Sequence, residues 1–179
     1  MRRAGTLYII LELVTILSNI VIGITILTFL YQGVEVHNSY LGSIVLAIGA
    51  TELVGFISLK DLVKLKNIPL AVSAVLEIVL GFLFLFLKIE LETLCIVWGI
   101  CNIALLIVKI VNAGFNLLRQ PFLNIVMVIL CIIEIIFSIF IIVRTTRSLN
   151  AHLTFLGIAI LIEAVILVIE FTIHRYQKI

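Results

Sequence analysis

Six residues of this chain have the type and position to do chemistry: Asn19, Glu52, Glu77, Asn102, Glu134 and Glu163, each close to the midpoint of a long apolar stretch. Carboxyls and carboxamides in apolar surroundings can hold or pass protons, coordinate a cation, or hydrogen-bond neighbouring helices. An ionisable group in the middle of a membrane helix costs roughly 2.5–3.5 kcal/mol on insertion scales. Interhelical hydrogen bonds in membranes average only about 0.6 kcal/mol, which offsets little of that cost where Asn, Ser or Thr would serve as well. No Lys or Arg is expected at the depth of the four Glu. The resting state expected of each Glu is therefore the neutral acid, donating a hydrogen bond to Asn or to a backbone carbonyl. A cation site would instead hold it ionised. Three readings stay open: helix-to-helix bonding, a proton or cation site, and contact with a partner or lipid.

A second polar set lies nearer the cytoplasmic side. Glu12 stands seven residues before Asn19, Lys109 seven after Asn102, and Glu170 seven after Glu163. Seven residues are about 10.5 Å of helix rise and nearly two turns, so each shares a face with its midpoint residue. Lys109 is expected to pair with Glu12 or Glu170 if those helices meet, or else to snorkel to the headgroups.

The elements that must position these residues are read from composition. The chain has 179 residues, is 64% hydrophobic and 12% charged, whereas soluble domains run about 45–50% apolar and about 25% charged. A membrane-spanning helix takes about 20 apolar residues. Six spans are predicted, at residues 7–30, 41–59, 69–87, 94–112, 122–143 and 153–173, all in one membrane domain over residues 1–179. The first apolar stretch exceeds the roughly 7–15 residues of a signal-peptide core and lacks a small-residue cleavage site, so it is expected as a retained helix. The net charge of +2 gives no basic cluster for nucleic acid.

Nine Lys and Arg fall at the amino terminus, the second and fourth loops and the carboxyl terminus, against Lys88, Arg144 and Arg147 elsewhere. Positive charge stays cytoplasmic, so both termini are expected inside. His37 and His152 are then expected in the first and fifth loops on the outer side, where imidazole could register acid. Pro69 and Pro121 mark the starts of the third and fifth helices, and Trp98 is expected between helices. Cys95, Cys101 and Cys131 match no metal or redox spacing and read as packing residues.

The odd spans repeat one core: NIVIG at 19–23, EIVLG at 77–81 and EIIFS at 134–138, starting 58 and then 57 residues apart. In the even spans Gly49-x-x-Glu52 matches Gly99-x-x-Asn102, and Ala159 stands four before Glu163. The expected fold is thus all-α, three tandem helical hairpins (1–64, 65–116 and 117–179) in parallel orientation about an axis along the membrane normal. Closure around that axis would bring the six midpoint residues to one depth.

Six spans in tandem hairpins, with CIIEIIFSIFI at 131–141, LEIVLGFLFLF at 76–86 and AIGATELVGFI at 47–57, resemble the HdeD family of bacterial acid-resistance membrane proteins. That resemblance implies a non-enzymatic protein of the bacterial plasma (inner) membrane, linked to acid or envelope stress. Two other functions fit the residues. One is a small proton- or cation-coupled transporter or channel; the other is an assembly subunit for a larger complex. No catalytic, metal or cofactor motif is present. The expected partners are the lipid bilayer and a membrane-protein partner or second copy of the chain.

Overall fold

In a computed structural model the chain forms six helices: α1 (Arg2–Gln32), α2 (Asn38–Leu59), α3 (Ile68–Phe86), α4 (Leu91–Phe115), α5 (Pro121–Ile142) and α6 (Leu149–Tyr176). The structure describes residues 2–59, 68–87, 90–115, 121–143 and 149–176, and no strand occurs among them. In an apolar medium every backbone N–H and C=O must be satisfied within the chain, which long apolar runs achieve as helices. Hydroxyls inside the apolar runs are satisfied the same way. Those of Thr25, Thr28, Ser43, Thr154 and Thr172 donate to the carbonyl four residues back.

Helix ends follow local rules. Pro121 opens α5 and Pro69 is the second residue of α3, positions whose N–H has no intrahelical acceptor. α1 ends at Gly33, where φ is 70°. Gly33 N donates to Leu30 O and Val34 N to Phe29 O, the paired bonds of a Schellman cap. The carbonyl of His37 then accepts from the N–H groups of Tyr40 and Leu41 and starts α2.

Each helix packs on its neighbour in the chain, and α6 returns to pack on α1, so the six close into a ring; α4 also touches α6. The most extensive contacts join α2 to α3, α6 to α1 and α4 to α5. Small residues make all three. A Cβ on Gly23 would lie 2.6 Å from Leu161 Cγ and 3.0 Å from the Gly157 carbonyl; one on Gly81 would lie 2.6 Å from the backbone N of Leu46; one on Gly99 would lie 3.2 Å from the Ser138 carbonyl. Neighbouring helices run antiparallel, as Thr15 against Thr51 and Phe29 against Tyr40 require for α1–α2. The helix starts and ends that include Arg2 and Tyr176 therefore gather at one end of the bundle, called here the terminal end. The α1–α2, α3–α4 and α5–α6 links gather at the other, the link end.

The bundle is apolar outside and polar within. Ile10, Leu17, Val21, Phe122 and Ile129 are exposed, each at or above 51%, while Asn19, Glu52, Asn102, Lys109, Asn124 and Glu134 are all at or below 7%. A soluble protein shows the opposite. Four helical stretches, Ile9–Gln32, Leu91–Val111, Pro121–Ile142 and Leu149–Ile173, are long and apolar enough to cross a bilayer, and two shorter apolar stretches are Asn38–Val54 and Ala71–Phe86. This is the make-up of an all-helical membrane protein. The three cysteines are free, with Cys95 and Cys131 buried, and Trp98 packs against the core.

Gly81→Ala is expected to lower stability by about 1–3 kcal/mol, because its methyl would meet Leu46 backbone that cannot yield. Gly33→Ala meets no atom within 4 Å and is strained only by its φ, costing roughly 1–2 kcal/mol. Thermal unfolding in detergent checks the contrast: α2–α3 contact measured by cysteine cross-linking should fall for the first variant and not for the second.

Candidate functional site

The link half and the terminal half of the bundle are packed differently, and the midpoint residues lie between them. On the link side one apolar core takes residues from every helix: Ile26 (α1), Leu41 (α2), Phe84 (α3), Leu94 (α4), Ile141 (α5) and Leu153 (α6). Among the described residues, the main apolar cluster on the terminal side is drawn from α4, α5 and α6, with Leu106, Met127, Cys131 and Ile166 at its centre, and Ile16 of α1 and Ala74 of α3 are buried there as well. A recess of about 740 Å³ opens at the link end, lined by His37, Asn38 and Asn150 among others. Val36, Phe84 and Leu153 line that recess and also belong to the six-helix core, so they form its floor. The midpoint layer is thus sealed from the link end by apolar side chains.

Below that floor, five carboxyls and one ammonium are brought together. Lys109 is buried, its Nζ is bonded to Oε1 of Glu163, and it stands 3.8 Å from Oε2 of Glu170. It also lies within electrostatic reach of Glu134, Glu52 and Glu77. Asn102 Nδ2 donates to Glu134 Oε1 at 2.7 Å and to Ser138 Oγ at 3.1 Å. Ser73 of α3 hydrogen-bonds Glu52 of α2. Among the described residues, no N–H or O–H reaches Oε2 of Glu52, Glu77, Glu134 or Glu163, although all four atoms are buried. The Glu134 and Glu163 carboxyls are close neighbours.

The expectation that no basic residue reaches the four Glu is corrected here. Lys109 starts nearly two turns from Asn102, but its four-carbon stem carries the ammonium back to a midpoint carboxyl on α6. Of its two expected partners Glu170 is found beside it, and snorkelling is not what the side chain does. Asn19 is buried and turns onto its own helix, with Nδ2 donating to Thr15 O at 3.2 Å. Glu12 stands half-buried on α1. His152, expected in a loop, is the fourth residue of α6 and fully buried, whereas His37 is exposed in the α1–α2 link. The sequence reading missed Ser73 and Ser138 as partners of Glu52 and Glu134, although Ser138 closes the EIIFS core and Ser73 stands four residues before Glu77.

Charge balance states what such a layer can do. Ionising five carboxyls against one ammonium would leave four charges uncompensated in a medium where each costs several kcal/mol. The ammonium bond pairs Lys109 with Glu163, and charge balance then favours neutral acids at the others. The layer therefore sets several neutral acids beside a single cation. Among the described residues no group of three His, Cys, Asp or Glu is arranged to hold a metal ion. No protein-family model, curated protein or solved structure matches the chain.

Asn102→Leu is expected to cost about 1–3 kcal/mol by leaving a buried Glu134 oxygen without its donor. Combined with Glu134→Leu it should be less damaging than the sum of the two, with a coupling of about 0.6–1.7 kcal/mol, the span of hydrogen bonds in membrane proteins. Chemical unfolding of the four proteins of the cycle in detergent measures this directly.

Proposed function

We propose that the chain is a small proton- or cation-coupled transporter or channel, with six spans and both termini cytoplasmic, whose interior carboxyl layer carries the ion. The observation that carries this reading is the convergence of Glu52, Glu77, Glu134 and Glu163 on a buried lysine, each with one buried oxygen that no protein donor satisfies. Intramembrane ionisable groups that face a bundle interior and pair with one another are the usual substance of ion and proton pathways. Interhelical bonding alone does not account for them, since Asn102, Ser73 and Lys109 engage one oxygen each of Glu134, Glu52 and Glu163 and leave the second oxygen of each unsatisfied among the described residues.

The same reading takes the chain as three tandem hairpins (1–64, 65–116 and 117–179). In support, Gly23, Gly81 and Ser138 each follow their midpoint residue by four positions, and each meets an even-numbered helix across a close contact. Protons would exchange with the terminal end through its polar interior, and passage to the link end would require the six-helix apolar core to part.

A second reading is favoured by the Asn102–Glu134–Ser138 bonds: a non-enzymatic bacterial plasma-membrane protein of the HdeD type, serving acid or envelope stress, whose polar layer only holds helices together. Proteoliposomes separate the two. Under an imposed pH gradient with the membrane potential clamped, the wild-type protein should acidify the lumen, and Glu77→Gln with Glu134→Gln should bring the rate to that of protein-free liposomes. Absence of any proton or cation current from folded wild-type protein would leave only the second reading.

A further inference from the structure

Lys109 is the one Lys or Arg among the buried residues described, and it occupies the place where a transported cation would sit. Its ammonium touches Glu163 and has Glu170 at 3.8 Å on the same helix, seven residues nearer the terminal end. Glu134 of α5, Glu77 of α3 and Glu52 of α2 face it from the other elements, and its own helix adds Asn102 one layer away. An acidic cluster alone would not define a site. Here the protein's own ammonium is seated in the cluster, and one buried oxygen each of Glu134 and Glu52 has no hydrogen-bond partner among the described residues. Both side chains are at or below 6% exposure.

From this geometry we infer that Lys109 is the resident counter-ion of a univalent-cation exchange site and the residue that restricts that site to protons. The inference rests on the transport reading above. When a proton arrives at the Glu163 carboxylate, that carboxyl becomes neutral and the Lys109–Glu163 ion pair is lost. The ammonium then moves to Glu170, which gives up its own proton toward the terminal end to become the carboxylate partner. One proton enters the layer, one leaves Glu170, and the layer's net charge is unchanged. Exchange without a change in net charge avoids adding an uncompensated charge to an apolar interior. The flexible stem and freely turning three-donor head of lysine suit it to this step. An alkali metal ion has no place in the layer while the ammonium holds the Glu163 position, and gains one when the ammonium is removed.

The test is thermal unfolding of the purified protein in detergent, with sodium chloride, potassium chloride or choline chloride at equal ionic strength. The wild type should unfold at one temperature in all three salts. Lys109→Met should be stabilised by sodium or potassium relative to choline, saturably, and Lys109→Met with Glu163→Gln should lose that stabilisation. Lys109→Gln serves if Lys109→Met does not fold, and both are expected to give the same ion dependence. A lysine-free variant indifferent to alkali ions, or a wild type as sensitive as the variant, would overturn the inference. A second arm needs no change at Lys109: Glu170→Gln removes the retreat position, and its proton flux in proteoliposomes should fall several-fold below wild type. Flux equal to wild type would also overturn it. Wild-type protein that carries no protons would sink the transport reading while the alkali-ion arm still judged the site.

Discussion

One ammonium among five carboxyls, held inside an apolar bundle, is the constraint on which the rest of the structure depends. Each of those groups is stable in a low-dielectric interior only in the company of the others. The ion pair of Lys109 with Glu163 and the bond of Asn102 to Glu134 tie α4 to α6 and α4 to α5. The remaining helices must come close enough to keep water and lipid from that layer. Apolar burial cannot drive this approach, because lipid tails are as apolar as the side chains they would replace. Close backbone packing does so instead, and glycine is placed where it is needed: Gly23 against Gly157, Gly81 against Gly42 and Leu46, and Gly99 against Ser138.

The three close contacts and the polar layer are parts of one design. The small residue four positions after Asn19, Glu77 and Glu134 sits one turn along the same helix face. The turn that presents a polar group to the interior is thereby pinned by the next turn, which admits a neighbouring backbone. Packing and polarity share a face because both need a neighbour at short range. The opposite faces carry Leu17, Val21, Val79 and Ile136 into the surroundings.

Much of this was legible in the sequence. The midpoint residues stood out because charge is rare in the chain, and the six helices and their starts at Pro69 and Pro121 follow from apolar runs and proline rules. The spacing of small residues marked the packed face. What the sequence hid was reach across helices. Counting seven residues from Asn102 places the Cα of Lys109 correctly but not its ammonium, which extends back along a flexible stem toward α6. Likewise His152 looked like a loop residue because the apolar run begins at Leu153, whereas α6 already starts at Leu149. Hydropathy finds where lipid contact begins, not where the helix does.

The two halves of the bundle then acquire different roles. A core drawn from all six helices opens only if every helix moves, so the link half is the closed half of the bundle, with Phe84 and Leu153 at the floor of its recess. The described apolar cluster of the terminal half is drawn from α4, α5 and α6, and there α1, α2 and α3 contribute Thr15, Glu52 and Ser73 to the interior beside the apolar Ile16 and Ala74. A polar interior on one side of the layer and an apolar barrier on the other give the carboxyls unequal access to the two ends. Lys109 stands at the boundary, on the polar side, with Glu163 and Glu170 of α6 beside it. A cation held at such a boundary is placed to move, and a carboxyl pair seven residues apart on α6 gives it two positions to move between.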